Sequence, residues 1–476
     1  MTSAEALGDL VGGLPDGVVV ADRERMEKYR RDRANDPAAG WPVAVVRAEC
    51  TGHVQDAVRW AARHGVPIVS RGAGTGLSGG STAVDGGIVV STERMRTISV
   101  DPRSRVAVVQ PGLLNAEVKR AVAGYGLWYP PDPSSFEICS IGGNIATNAG
   151  GLCCVKYGVT TDYVLGLEVV LADGTAVRLG GARLKDSAGL SLTKLFVGSE
   201  GILGIITEAT LRLLPEQAAA RTVVATFATT RAAADAIIAI TAAVRPAMLE
   251  FMDNTSINAV EDMLAMELDR SAAALLVAQA DGGQAIGGQA SGGQSSGRSG
   301  AAADEIAVIA SACEQAGATE VIATDDPAEG DAFIVARRAA IPAVERKGAL
   351  LLEDVGVPIP ELPALLAGVE AIAAEHGLVI AVIAHAGDGN THPLIVFDPA
   401  DRVRAEHARI AFGEIMDLAI GLGGTITGEH GVGRLKKAWL PSQVGPDVMA
   451  LSQRIKQALD PGNILNPGVI FPDLRC

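Results

Sequence analysis

Three glycine-rich loops set between short apolar runs constrain this chain more than any other feature of its sequence. The first reads Ser70-Arg71-Gly72-Ala73-Gly74-Thr75-Gly76-Leu77-Ser78-Gly79-Gly80 and follows the strand-like run PIVS. The second comprises Pro131-Asp132-Pro133-Ser134-Ser135, then Ser140-Ile141-Gly142-Gly143-Asn144-Ile145-Ala146-Thr147-Asn148-Ala149-Gly150-Gly151. The third is Gly198-Ser199-Glu200-Gly201-Ile202-Leu203-Gly204-Ile205-Ile206. Small residues let a backbone approach a ligand closely, and successive N–H groups in such loops can cradle pyrophosphate. Asn144, Thr147 and Asn148 add neutral donors and acceptors. Together the loops predict a long groove for a large dinucleotide.

Gly74 to Gly79 spells GxGxxG, with Glu93 at a distance that suits a ribose-binding acid. A nicotinamide-binding turn must however open a helix. Here the chain continues through Ser81-Thr82-Ala83-Val84-Asp85-Gly86-Gly87 into IVVST, a turn and a strand. The motif is therefore not read as a Rossmann turn.

At 476 residues the chain has material for two or three domains. Residues 1–41 read as an N-terminal helical segment with a charged linker. Residues 42–215 open with strand, helix and strand and continue as short β runs, including a hairpin around Ala172-Asp173-Gly174. A helical segment and a glycine-rich turn, FVGSEGILGIITEATLRLLP, are expected to close this unit at Pro215. Residues 216–428 alternate strands (RTVVATFA, ALLVAQA, LLLEDVGVP, LVIAVIAHAG) with Ala-rich helices, an α+β or α/β layered pattern. The Gly/Ser/Gln stretch 281–300 reads as a surface loop. Residues 429–476 form a C-terminal segment with a Pro/Gly/Asn-rich tail.

With 40 Lys and Arg against 55 Asp and Glu, the formal charge of −15 disfavours nucleic acid and anionic membranes as partners. No uncharged run reaches the about 18 apolar residues of a membrane span. The N-terminus lacks a basic stretch followed by an apolar core, so no secretory signal is read. The six cysteines are thinly spread and form no CxxC repeat, which argues against an iron–sulfur or zinc-ribbon site. A cytoplasmic location is expected, peripheral to a membrane only through a partner.

Of seven histidines, His385, His392 and His430 fall late, the last beside Glu429. His385-Ala386-Gly387-Asp388-Gly389-Asn390-Thr391-His392 has the form of a hairpin with Asp388-Gly389 as a favoured two-residue turn. That register puts His385 directly opposite His392, within reach of one metal ion. Glu429 adds an oxygen ligand, giving a set that suits zinc, manganese or iron.

The segments SRGAGTGLSGG, PPDPSS…IGGNIATNAGG and VGSEGILGIIT resemble the flavin-binding loops of vanillyl-alcohol-oxidase-like flavoproteins. The branch resembled is the FAD-linked D-2-hydroxyacid dehydrogenases: D-lactate dehydrogenases and the catalytic subunit of glycolate oxidase. The resemblance runs from about Pro42 to Pro467. It implies an α+β protein with a two-part FAD-binding domain of the p-cresol methylhydroxylase type, a cap domain, and a C-terminal segment returning to the FAD domain. It further implies FAD contacts from Arg71, Gly72, Ala73, Gly74, Thr75, Gly76, Leu77, Ser78 and Gly79 at the pyrophosphate. Pro131, Asp132, Ser135, Gly142, Gly143, Asn144, Thr147, Asn148, Gly150 and Gly151 would lie along the isoalloxazine and ribityl region. Glu200, Gly201, Gly204, Ile205 and Ile206 would lie on the adenosine side, with Asn466 in the tail completing the set. The first loop has no His, so FAD is expected to be non-covalent.

In metal-dependent members of that family, two histidines and a Glu hold a divalent metal and the adjacent His is the base; His385, His392, Glu429 and His430 stand at those positions. Arg337 matches the Arg that binds the substrate carboxylate, and a guanidinium suits that geometry. Members acting on D-2-hydroxyglutarate carry a Lys in the following strand, where this chain has Leu352; Lys347 is close by in sequence. A small 2-hydroxy acid, glycolate or D-lactate, is therefore favoured over a dicarboxylate. The chain has no haem or cluster motif of its own. Electrons are thus expected to pass to a quinone, an electron-transfer flavoprotein or an iron–sulfur subunit, and a homodimer is the expected assembly. A second reading within the same fold is a non-redox flavin transferase of the alkylglycerone-phosphate synthase type.

Overall fold

The computed structural model describes residues 3–282 and 297–472. The chain divides into two compact units. One comprises Met1–Ala149, Val159–Glu216 and Glu429–Cys476; the other comprises Gly150–Gly158 and Gln217–Gly428. Among the described residues no helix is long and apolar enough to cross a membrane.

In the first unit, alternating apolar runs build two larger sheets, beside the short pair Leu127–Trp128 and Leu214–Pro215. Ala44–Arg47, Ile88–Ser91 and Ile68–Arg71 lie side by side in parallel, with the short strand Val19–Val20 antiparallel at the edge. The helix Thr51–His64 makes the crossover between Ala44–Arg47 and Ile68–Arg71, ending at Gly65 in the left-handed conformation. Its apolar residues Val54, Ala57, Val58, Trp60 and Ala61 share one core with Val46, Ile68, Ile88 and Val90 of this sheet and with Val170 and Ile205 of the second. That second sheet is antiparallel, ordered Ile98–Asp101, Val106–Val109, Ile205–Arg212, Val164–Val170, Ala176–Gly180. The expected hairpin around Asp173 joins its last two strands.

The closing run of this unit differs from the sequence expectation. IITEATLR is not helical but the central strand of the five, with Ile205, Thr207, Ala209 and Leu211 buried and the intervening residues half-buried. That alternation has a period of two, and the β-branched Ile and Thr residues favour it. The helix here is confined to Leu192–Phe196.

The second unit is an antiparallel sheet in which the strands run Ala318–Thr324, Arg221–Phe227, Ala274–Ala280, Met248–Asp253, Val379–His385, Asn390–Phe397, Ala349–Leu352. Val355–Gly356 also pairs with Asn390–Phe397. All pairings are antiparallel, so of the two layered patterns open from sequence the unit is α+β. On one face, Met248, Met252, Leu275, Val277, Ala381, Ile383 and Leu394 pack against the helices Asn254–Leu264 and Pro327–Glu345 through Ile257, Val260, Ala336, Ala340 and Val344. His385 and His392 belong to this face.

Residues 283–296 of the Gly/Ser/Gln stretch lie outside the described residues. Its ends are not loop-like. Asp281 is buried, and its carboxylate accepts from Lys156 Nζ at 2.8 Å, Gln217 Nε2 at 3.0 Å and the Tyr157 hydroxyl. From Gly297 the chain is already in the helix Gly297–Gln315.

Candidate active site

The strands Val379–His385 and Asn390–Phe397 form the expected hairpin in a different register. His385 pairs with Asn390, and His392 with Ile383, so the two histidines are not directly opposite. The connection is four residues, Ala386-Gly387-Asp388-Gly389, because Asp388 Oδ1 accepts from Asn390 N at 3.1 Å while Asp388 N donates to the His385 carbonyl at 3.2 Å. Gly389 has φ +82°, and a Cβ there would lie 2.1 Å from the Val357 carbonyl oxygen, so only glycine fits. Side chains alternate along each strand, so His385 and His392 still share a face as diagonal neighbours. Their ring centroids are 5.2 Å apart and the rings nearly perpendicular at 86°.

The acid that orients His385 was not foreseen. Glu250, in the strand Met248–Asp253, sits directly across from His385. Its carboxylate oxygens lie 2.8 and 3.0 Å from His385 Nδ1. With the proton of Nδ1 on that hydrogen bond, the ring's lone pair falls on Nε2, the arrangement common to metal-binding histidines. The same carboxylate pairs with Arg337 Nη2 at 2.8 Å, and both side chains are at most 2% exposed. Arg337 reaches it from the helix Pro327–Glu345, which covers this face. A charged residue in the middle of the apolar run MLEFM was the available signal, since an acid is rarely buried there without a partner.

His392 is held differently. Its Nδ1 lies 3.3 Å from the Glu353 carbonyl and 3.7 Å from Asp354 Oδ1. Asp354 is fully buried, and its Oδ2 accepts from the Thr427 hydroxyl at 2.6 Å. Its carbonyl accepts from Gly428 N at 3.2 Å, which fixes the chain just before Glu429 and His430. Leu352 pairs with Leu394, two residues along the strand from His392, and so points to the same face. Lys347 is occupied elsewhere, 3.1 Å from Asp262 at the surface.

In the first unit, the first glycine loop folds over its own arginine. Arg71 is buried, donating to the Lys28 carbonyl at 3.3 Å and to Ser81 Oγ at 3.4 Å. At Gly74, φ +76°, a Cβ would collide with that guanidinium at 1.9 Å. Gly72 packs on Ser140, whose Oγ would lie 2.2 Å from an added Cβ and accepts from Ala73 N at 3.2 Å. Thr75, Gly76 and Leu77 are half-buried, and Ser78 and Gly79 buried. Glu93, the acid spaced from GxGxxG, is held by the Tyr29 hydroxyl at 2.8 Å and by Arg47 at 2.5 Å.

Much of the second glycine loop is a short helix, Ile141–Thr147, with Ser140 as N-cap. Asn148 ends it in the left-handed conformation, and its Oδ1 accepts from Thr161 N at 2.9 Å. Asn115, not singled out from sequence, donates from Nδ2 to the Pro131 carbonyl at 3.1 Å and to Asn144 Oδ1 at 3.2 Å. Asp132 is buried and Ser135 half-buried in the preceding turn. Gly150 and Gly151 begin the segment that belongs to the second unit.

The third loop is bound to the C-terminal segment. Glu200, at φ +49°, is buried and accepts from Val432 N and Gly433 N, both at 2.8 Å. Burial pushes its carboxyl up to about 7 against the pull of these two donors. Asn466 Nδ2 donates to the Glu200 carbonyl at 2.7 Å and to the Gly80 carbonyl at 2.8 Å, clipping the third loop to the end of the first. Gly201 packs on Ser70, Gly204 on Val169, and Ile205 and Ile206 enter the five-stranded sheet. Glu429 Oε1 lies 3.6 Å from His430 Nε2.

Residues 42–180 match the family model for an FAD binding domain, and residues 216–470 that for the C-terminal domain of FAD linked oxidases. The chain is 41% identical over 433 residues to the glycolate oxidase subunit GlcD of Bacillus subtilis, covering 90% of this chain and 89% of the relative. It is 33% identical over 443 residues to the D-lactate dehydrogenase of Archaeoglobus fulgidus, covering 92% and 93%. The structure superposes on p-cresol methylhydroxylase with a TM-score of 0.80 at 18% identity, covering 99% of this chain and 97% of the other. The fold is thus the p-cresol methylhydroxylase type that the glycine loops implied. By these matches the chain belongs to the FAD-linked D-2-hydroxyacid dehydrogenase family, the D-lactate dehydrogenase and glycolate oxidase subunit branch of the vanillyl-alcohol-oxidase-like flavoproteins.

Proposed function

We propose that this protein oxidises a small D-2-hydroxy acid with one carboxylate, D-lactate or glycolate, to the 2-oxo acid, using non-covalent FAD and a divalent metal. The names of its relatives point to this substrate class. The observation that carries the reading within the chain is the buried set Glu250, His385, His392 and Arg337 on one sheet face.

The loops fit a flavin. Thr82 Oγ1 at the foot of the first loop and Asn115 Oδ1 beside Pro131 and Asn144 are buried with no partner among the described residues, as a polar ligand requires. In this reading the first unit is the FAD-binding half and residues 217–428 the substrate half. When bound, FAD supplies the hydride acceptor. This reading assigns a zinc, manganese or iron ion to His385, His392 and Glu429, whose imidazole and carboxylate groups are ligand types for such ions. Such an ion lowers the pKa of a hydroxyl that it binds.

The remaining tasks fall to side chains. Arg337 receives the substrate carboxylate, with Glu250 holding the guanidinium in place. His430, as neutral imidazole, takes the hydroxyl proton. Glu250 keeps the proton of His385 on Nδ1. A quinone, an electron-transfer flavoprotein or an iron–sulfur partner would serve as the electron acceptor.

Leu352 sets the preference for a single carboxylate. It shares the face of His392, and Lys347 is held by Asp262. A second carboxylate facing Leu352 loses its hydration without gaining a partner, a cost of about 1–3 kcal/mol or more. The expected result is a kcat/KM for D-lactate at least about 10-fold above that for D-2-hydroxyglutarate, with Leu352→Lys narrowing the gap. Equal or better turnover of D-2-hydroxyglutarate by the unaltered protein would contradict this reading.

A further inference from the structure

The loop that carries His430 has no regular structure of its own between Thr427 and Gly433. Gly431 and Gly433 both take positive φ, +84° and +55°. A segment of this kind leaves its N–H groups without helix or sheet acceptors, and buried donors must be satisfied from outside. Two of them, on Val432 and Gly433, point at the two oxygens of one carboxylate, Glu200.

The carboxylate is itself fixed. Glu200 N donates to the Ala146 carbonyl at 2.8 Å, and Asn466 holds the Glu200 carbonyl at 2.7 Å. The first glycine loop grips the same segment. The Ser78 carbonyl accepts from Arg434 N at 2.8 Å and Leu435 N at 3.2 Å, and Ser78 Oγ lies 3.4 Å from the His430 carbonyl. Ile470 N closes the far side on the Gly433 carbonyl at 2.9 Å.

We infer that Glu200 is a positioning residue for the base, its carboxylate clamping the Val432 and Gly433 amides so that His430 is presented in one fixed orientation. The inference rests on the reading of His430 as the base. It gives the Glu of the third loop a task beside that of holding the adenosine side of a cofactor, since each of its oxygens accepts from an amide of the His430 loop. Displacing a catalytic group by about 1 Å costs on the order of 100-fold in rate.

The test uses the flavin-loaded full chain with D-lactate as substrate. Glu200→Gln keeps the shape but turns an NH2 group toward one of the two amides. It is expected to lower kcat about 100-fold while KM and the ratio of flavin to protein absorbance stay at the unaltered values. Glu200→Asp keeps the charge, and its kcat is expected to lie between the two. It also serves if the Gln variant does not fold. His430→Gln is measured alongside. An unchanged kcat in Glu200→Gln, while His430→Gln is inactive, would overturn the clamp alone. Flavin lost from Glu200→Gln in proportion to activity would overturn it in favour of a cofactor-binding role. Full activity in His430→Gln would remove the base reading and the inference with it.

Discussion

Replacing Glu250 by Ala is expected to destabilise the second unit by about 3–5 kcal/mol, the range for removing one partner of a buried ion pair. Glu250 is 1% exposed and its carboxylate joins His385, at the end of one strand, to Arg337, on the covering helix. Without it, the buried Arg337 guanidinium loses this carboxylate, and His385 loses the acceptor that fixes its tautomer. Denaturant unfolding of the variant, followed by a probe in the second unit, measures the first effect. Titration with manganese or zinc measures the second, with affinity expected to fall about 10–100-fold. Combining Glu250→Ala with Arg337→Met is expected to recover part of the stability, since an apolar side chain replaces the buried charge. A single Glu250→Ala variant within about 0.5 kcal/mol of the unaltered protein, the range of ordinary surface substitutions, would contradict this account of the buried set.

His430→Gln is the variant with the largest expected effect on catalysis. A glutamine fills a similar volume and hydrogen-bonds but accepts no proton, so the rate of flavin reduction is expected to fall about 10²–10⁴-fold. Flavin content is expected to be unchanged, because backbone amides and carbonyls of this loop, which the substitution leaves in place, tie it to the first and third glycine loops. Stopped-flow absorbance under anaerobic conditions reads the reductive step directly. The limb of the pH profile that reports the base in the unaltered protein is expected to disappear in the variant. A loss of less than about 10-fold would assign proton removal to another group.

How legible all this was in the sequence depended on whether the signal was local. The strand–helix–strand opening, the hairpin at Asp173 and the Ala-rich helices follow from periodicity and turn residues, which neighbouring positions report. FVGSEGILGIITEATLRLLP was misread because its alternation is carried partly by Thr and Glu on a half-buried face, which weakens the contrast a strand usually shows. The histidine hairpin was recognised, but its register was not. The Asp388 side chain recruits Asn390 N, lengthening the loop to four residues, and loop length sets the register.

Partnerships across the sheet were the least legible. Glu250 acquires meaning only because the pairing of two distant strands puts it opposite His385. Glu200 was expected to serve a cofactor, and nothing near it in sequence announces that residues beyond 430 supply its donors. The pairing that Asn466 makes is of the same kind, since it holds the first and third loops, which lie far apart along the chain, whereas Asn115 ties two parts of the second loop. By contrast, His385 and His392 could be named from turn and ligand chemistry, and Arg337 from the family resemblance, even where geometry is unknown.

The most direct test of the central claim is the visible spectrum of the flavin-loaded protein under anaerobic conditions. D-lactate, glycolate and D-2-hydroxyglutarate are added in turn, with and without a metal chelator. The account predicts that D-lactate or glycolate bleaches the flavin band, that D-2-hydroxyglutarate does so poorly, and that the chelator abolishes bleaching. A flavin spectrum that none of these hydroxy acids changes would contradict it.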